Sequence, residues 1–222
     1  MFMCRRSAIL ATALLACGIA QANDKDEARA VVEKARVAFG DVVKTKEFDS
    51  LRAGLKQAKG VLIFPSILKA GFFLGTSGGT GVLLVRGPNN DWSQPAFYTV
   101  GSVSFGVQFG GQESAALILI NTQKAVDGLM ANAVKLGGDA SVAVGPMGAG
   151  QAANVTADFV SYSKAKGAFV GMSVEGSVLD VRATLNHAYY GNDVTPIDIV
   201  SKRSVSNAHA AGLRKAVAAA SK

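Results

Sequence analysis

Glycine decides what this chain can build. Of its 25 glycines, all but Gly18, Gly40, Gly54, Gly191 and Gly212 lie between Gly60 and Gly176. Glycine weakens a helix by about 1 kcal/mol per residue relative to alanine, so a long helix through this region is disfavoured. In strands it marks bulges, sharp bends or close backbone approach, and a run of such positions predicts a strongly curled sheet or small barrel. The expected strands are Val61–Phe64, Gly71–Thr76, Thr80–Arg86, Ala96–Ser104, Ser114–Asn121, Ala140–Val144, Asn154–Ser161 and Ala168–Glu175. Gly87-Pro88-Asn89-Asn90-Asp91 is a turn signal between two of them. Phe105–Gly111 alternates small and large residues, and Gly145–Gly150 reads as a glycine-rich hinge. Ala115–Ile120 is apolar at every position, which requires burial on both faces beneath a helix.

Helical spacing governs the two flanks. Asn23 or Asp24 can cap a helix running to Phe39 or Val43, with Val31, Ala35, Ala38/Phe39 and Val42 in one stripe. A second helix is expected from Asp49 or Ser50 to Lys59. The covering helix for Ala115–Ile120 is expected over Thr122–Leu136, capped by Asn121 or Thr122 and ended by Gly137-Gly138. Asp180–Tyr190, Pro196–Val200 and Val205–Ala220 complete the helices. The fold class that follows is α+β: a strongly curled, glycine-rich antiparallel sheet or small barrel flanked by N- and C-terminal helices. Residues 23–222 are expected to form a single domain, helical over 24–59, β-rich over 60–176 and helical over 177–222.

Met1–Ala22 reads as a signal peptide. Arg5-Arg6 supplies the positive region, Ala8–Ala16 the apolar one, and Ala20-Gln21-Ala22 a small-residue cleavage site. Leu14-Leu15-Ala16-Cys17 competes with it as a lipobox, making Cys17 a lipidation candidate. The expected location is therefore the periplasm, free after cleavage before Asn23 or anchored to an envelope membrane through Cys17. Both cysteines, Cys4 and Cys17, lie in the leader, so the remainder can form neither disulfide nor thiolate metal site.

Net charge is +7, of which Arg5 and Arg6 account for two. The remaining excess lies on the flanks, because residues 60–176 carry as many acids as bases. A basic rim around a nearly neutral body suits an anionic membrane surface better than a nucleic-acid groove. Catalytic patterns are weak. Gly75-Thr76-Ser77-Gly78-Gly79 fits a nucleophile elbow, but that turn must open a helix, and a strand is expected next. Neither a phosphate loop, a paired-carboxylate site nor a metal constellation is visible. The residues themselves favour a binding module over an enzyme, with no cofactor or metal.

Ala58-Lys59-Gly60-Val61-Leu62-Ile63-Phe64-Pro65, Lys69-Ala70-Gly71 and Gly75 together resemble the SYLF domain family. The likeness continues at Gly101–Gly110, Leu117–Asn121, Ala140–Gly145, Gly171–Gly176 and Asn186–Gly191, covering roughly residues 30–200. The resemblance implies a non-enzymatic module that binds acidic phospholipids through a basic, amphipathic N-terminal region. For an exported bacterial chain it implies phosphatidylglycerol, cardiolipin or lipid A as ligand; some family members also bind actin. The lipid-binding residues so expected are Lys59 and Lys69 at headgroups, Phe72 and Phe73 at the acyl boundary, and Lys25, Arg29 and Lys44 in support. The alternative is an envelope scaffold that recruits a protein partner without specific lipid binding.

Overall fold

The computed structural model describes residues 6–45, 49–71, 74–105, 112–131, 133–145, 156–165, 168–169 and 174–222; the side chains of residues 6–22, 69–71, 74–75, 103–105, 112 and 168–169 are not described. Helices α1 (Arg6–Val43) and α2 (Asp49–Gln57) precede four long strands, β1 (Gly60–Gly71), β2 (Leu74–Val85), β3 (Ala96–Phe105) and β4 (Gln112–Ile120). Then come α3 (Gln123–Ala131), β5 (Val134–Lys135), β6 (Val142–Val144), β7 (Phe159–Ala165), β8 (Ala168–Phe169) and β9 (Val178–Val181). Helix α4 (Ala183–Tyr190), a π-turn (Ile197–Ser201) and a 3-10 turn (Ala208–Ala210) lead into α5 (Ala211–Ala220). The strands make one sheet in the order β5-β9-β3-β2-β1-β4-β7-β6, with β8 also on β7. All pairings are antiparallel except β6 with β7, which the connection 145–158 brings back in parallel. This is the α+β architecture expected from the glycine pattern.

Apolar side chains fill both faces of the sheet. Val61, Ile63, Val82, Leu84, Leu117 and Leu119 pack against Val32, Ala35 and Phe39 of α1, Leu51 and Leu55 of α2, and Leu213 and Val217 of α5. On the opposite face, Leu62, Phe64, Leu83, Ile118 and Ile120 meet Val126 and Leu129 of α3 and Ile199 and Val200 of the π-turn. Strand β4 thus lies between two helical layers, as its uninterrupted apolar run requires. Each such buried Leu or Ile contributes roughly 1.5–3 kcal/mol. Tyr98 ties β3 to α3 by donating its hydroxyl to the Leu129 carbonyl at 2.7 Å.

Pro65 explains the strand pattern. It cannot donate to a ladder, yet it sits in β1, which is paired on both sides. The chain absorbs it in a bulge. Against β2 the register steps from Ile63–Val82 to Leu68–Gly78, and against β4 from Phe64–Ala116 to Ile67–Ser114. Both steps add one residue to β1. The displaced backbone then crowds β2, where a Cβ on Gly79 would collide with the Ser66 carbonyl and one on Gly81 with the Ile63 carbonyl. Glycine is therefore required at 79 and 81.

Several boundaries differ from expectation. The expected strands 61–64, 71–76 and 80–86 are two continuous strands, because the bulge carries β1 past the proline. The expected helix over 122–136 ends at Ala131; Val134–Lys135 instead pairs with β9, and Gly137 (φ +83°) turns that strand toward Ala140. Thr122 does cap α3, its hydroxyl accepting from the Ala125 amide at 3.2 Å. The helix expected from Asp180 starts at Ala183, since Val178–Val181 pairs with β3. The C-terminal helix expected from Val205 begins at Ala208. Strand β7 begins at Phe159, later than the expected Asn154. No cap interrupts α1 at Asn23 or Asp24; the helix runs through from Arg6. Most of the Phe105–Gly111 pattern and of the Gly145–Gly150 hinge, and Gly171–Ser173, lie outside the described residues.

Candidate functional site

The residues singled out from the sequence are spread along α1 and over both ends of β1. Lys25 and Arg29 are exposed near the α4 end of α1, where Glu27 pairs with Arg182 at 3.2 Å. Lys44 is exposed just past the other end of that helix, about 28 Å from Lys25 at 1.5 Å per residue. Lys59 is exposed immediately before β1, and Lys69 lies near that strand's far end, about 30 Å away. Lys59 and Lys69 cannot share one headgroup. Phe72 and Phe73 fall outside the described residues, and Cys17 lies in α1 with its side chain undescribed.

The far end of β1 has a distinct surface. Among the described side chains, the last buried apolar ones toward this end are Ile67 on β1 and Val82 on β2. Beyond them Leu68 is 59% exposed, and Thr76 to Thr80 are exposed or half-buried. The bulge sets this boundary by bending β1 out of its flat ladder. Beside it a groove of about 660 Å³ runs between α1 and the sheet, floored by Val37, Ala38, Val42, Pro65 and Ala115. Lys34 and Lys164 line it together with Glu33, Asp41 and Glu113, so its charge is mixed. Lys164 donates to the Thr45 hydroxyl at 3.3 Å, fixing the end of α1 over β7.

At the near end of β1, Lys59 borders a second cleft of about 510 Å³ with Arg86, Arg203, Asn90 and Gln123 over apolar walls from Val126 and Val200. Arg86 donates Nε to the Ala58 carbonyl at 2.9 Å and Nη2 to the Leu55 carbonyl, satisfying the C-terminal carbonyls of α2. Its guanidinium lies 4.7 Å from the Trp92 ring centroid, and burial holds its pKa below the ordinary arginine value. Trp92 is itself tied to α5, donating to the Ser221 hydroxyl at 3.0 Å. The sequence reading did not single out Arg86 or Arg203. Arg86 stands directly before the Gly-Pro turn, but nothing local to it signals that Arg203 arrives beside it.

The serine of the elbow-like motif is not an elbow. Ser77 lies inside β2 with its Oγ 2.6 Å from that of Ser102 on β3. His187 faces Asp193 at 2.7 Å, and His209 faces Tyr189 at 3.2 Å. No group of three or more histidine, cysteine or carboxylate side chains capable of holding a metal occurs among the described residues. Among them, too, no helix is long and apolar enough to cross a membrane.

The fold therefore defines an α+β domain with a curled sheet held between two helical layers. A family profile, Ysc84, described as "Las17-binding protein actin regulator", matches residues 101–220, and the chain belongs to this Ysc84 (SYLF) family. It is similar to SH3 domain-containing YSC84-like protein 1 of Bos taurus, 35% identical over 151 residues, covering 66% of this chain and 44% of the relative. The SH3 domain-containing protein PJ696.02 of Schizosaccharomyces pombe is 37% identical over 154 residues, 66% of this chain and 36% of that protein. LAS seventeen-binding protein 3 of Saccharomyces cerevisiae (strain S288c) is 36% identical over 156 residues, 67% of this chain and 34% of the relative. The chain thus spans less than half the length of the curated relatives it matches. The family description names binding and regulation rather than a reaction.

Proposed function

We propose that this protein is a non-enzymatic module that docks on an anionic phospholipid surface of a bacterial envelope, exported by the leader at residues 1–22. The observation that carries this reading is the exposed Leu68 in the β1–β2 hairpin. Lys69 follows it, and the sequence places Phe72 and Phe73 between the two strands. Burying one large apolar side chain in the acyl boundary contributes roughly 1.5–3 kcal/mol, and a lysine at an anionic surface about 1 kcal/mol. Lys25, Arg29 and Lys44, exposed along and just past α1, add to the attraction, whereas Lys59, about 30 Å from Lys69, cannot share a headgroup with it. Cleavage before Asn23 leaves the domain free in the periplasm; acylation at Cys17 tethers it, and either mode brings the hairpin to a membrane.

Co-sedimentation with vesicles tests the reading. Recovery is expected with phosphatidylglycerol vesicles but not phosphatidylcholine vesicles, and Leu68→Asp with Lys69→Glu lowers affinity at least tenfold. Equal recovery on both vesicle types, unaffected by the double substitution, would sink the idea.

A second reading has its own support. The family description and the yeast relative's name both specify binding to a protein, Las17. On this reading the chain is an envelope scaffold. Crosslinking in the native envelope that gives one dominant protein adduct, with no vesicle binding, favours it. The apolar stripe of α5 is already used in the core through Leu213 and Val217, so the partner surface lies elsewhere.

A further inference from the structure

The cleft at the start of β1 is organised beyond what stability requires. Three segments far apart in sequence each bring a cation to it: Lys59 before β1, Arg86 after β2, and Arg203 after the π-turn. The Lys59 backbone pairs with Ile120 and Arg86, but its ammonium makes no hydrogen bond or ion pair among the described residues. Arg86 meets carbonyl oxygens and, at 3.4 Å, the Asn90 side-chain oxygen, but no carboxylate. Arg203 alone has an acid, Asp91. The three cations and that acid leave a net charge of +2 over apolar walls.

Backbone geometry makes a second, independent point. Among the described residues, Asn90 (φ 58°) and Arg203 (φ 53°) are the non-glycine positions with left-handed backbone, and both line this cleft. Asparagine tolerates that conformation; arginine adopts it at a cost in strain. Strain of this kind concentrates at ligand clamps. It holds the Arg203 guanidinium against Gly87, where a Cβ would lie 2.5 Å from Asp91 Oδ1 and 2.8 Å from Arg203 Cζ. The volume suits a small organic ligand.

We propose that this cleft binds a small phosphomonoester carrying an apolar group, at the end of the sheet opposite the hairpin. A dianion matches the net charge of the site, guanidinium and ammonium donors suit phosphate oxygens, and Val126 and Val200 receive the apolar part. The inference does not rest on membrane docking, because the two ends of β1 are about 30 Å apart.

Trp92, the single tryptophan, lies against Arg86 and reports on the site. The full chain is titrated with monohexyl phosphate, with hexanol and with sodium chloride at matched ionic strength as controls. A saturable change in Trp92 fluorescence is expected for the phosphate ester alone. Arg203→Gly removes one cation and gives the left-handed position the residue it favours, so the variant stays folded yet binds roughly tenfold more weakly. Lys59→Gln weakens binding to a similar degree, while Lys69→Glu leaves it unchanged. Competition by phosphatidic acid vesicles identifies a lipid headgroup as the source of the phosphomonoester; failure to compete identifies a free ester. An identical response to sodium chloride, or wild-type affinity in an Arg203→Gly protein that melts as wild type does, overturns the proposal.

Discussion

Gly81→Ala is the sharpest probe of how β1 and β2 fit together. A methyl group there would collide with the Ile63 carbonyl and stand 2.5 and 2.9 Å from Phe64 Cδ1 and Cγ. One obstacle is backbone fixed in the ladder and the other a fully buried ring, so neither can swing aside. Overpacking of a well-filled site typically costs 1–3 kcal/mol, and a clash with backbone belongs at the upper end, about 3 kcal/mol. For a domain of this size, each kcal/mol lowers the midpoint by about 2–4 °C, so a fall of about 6–12 °C is expected. Gly78→Ala, three residues away on the same strand, is the matched control. Its methyl meets nothing closer than the Val100 carbonyl at 3.6 Å, and alanine restricts the unfolded chain more than glycine does. That variant should melt within about 2 °C of wild type or slightly above it. The assay is thermal unfolding followed by far-UV circular dichroism, repeated in urea. A Gly81→Ala protein that melts like Gly78→Ala would refute the claim that the Pro65 bulge dictates these glycines.

Further expectations follow from the packing and electrostatics. Trp92→Ala removes the ring under Arg86 and the hydrogen bond to Ser221, and should lower unfolding free energy in urea by about 3–5 kcal/mol. Asp158 receives the Thr122 hydroxyl at 2.6 Å and the Ser141 hydroxyl at 2.8 Å; the Thr122 bond is the largest influence holding its carboxyl below the usual 3.8. A carboxyl lowered on folding stabilises above its unfolded pKa, and that contribution is lost as the pH falls through the folded value. Melts between pH 5 and pH 2 should therefore fall more steeply for wild type than for Asp158→Asn, and parallel curves would contradict this linkage. Arg86→Lys cannot reach both α2 carbonyls and stack on Trp92, so α2 amides should exchange hydrogen faster in that variant.

The sequence made some of this architecture legible and hid the rest for identifiable reasons. Ala115–Ile120 announced a strand covered on both faces because every position is apolar, and the Thr122 cap marked the start of α3. Pro65 misled, since a proline normally ends a paired strand; only the register on both sides of β1 reveals that a bulge absorbs it. Residues 134–135 followed a helical pattern, but β9 offered an unpaired edge that won them. Lys59 and Lys69 were both expected at headgroups, yet the extended strand β1 sets them about 30 Å apart, at its opposite ends. The cluster of Lys59, Arg86 and Arg203 could not be read at all, because nothing in a single sequence pairs residues 86 and 203. The glycine signal at Gly137-Gly138 was real but ended a strand.

Orientation on the membrane tests the central claim most directly. With Cys4 and Cys17 changed to Ser, single cysteines at Leu68 and at Ser201 can each carry an environment-sensitive fluorophore. Phosphatidylglycerol vesicles containing brominated lipid should quench the label at 68 strongly and leave the label at 201 as in solution. Quenching at 201 equal to or greater than that at 68 would contradict docking through the hairpin.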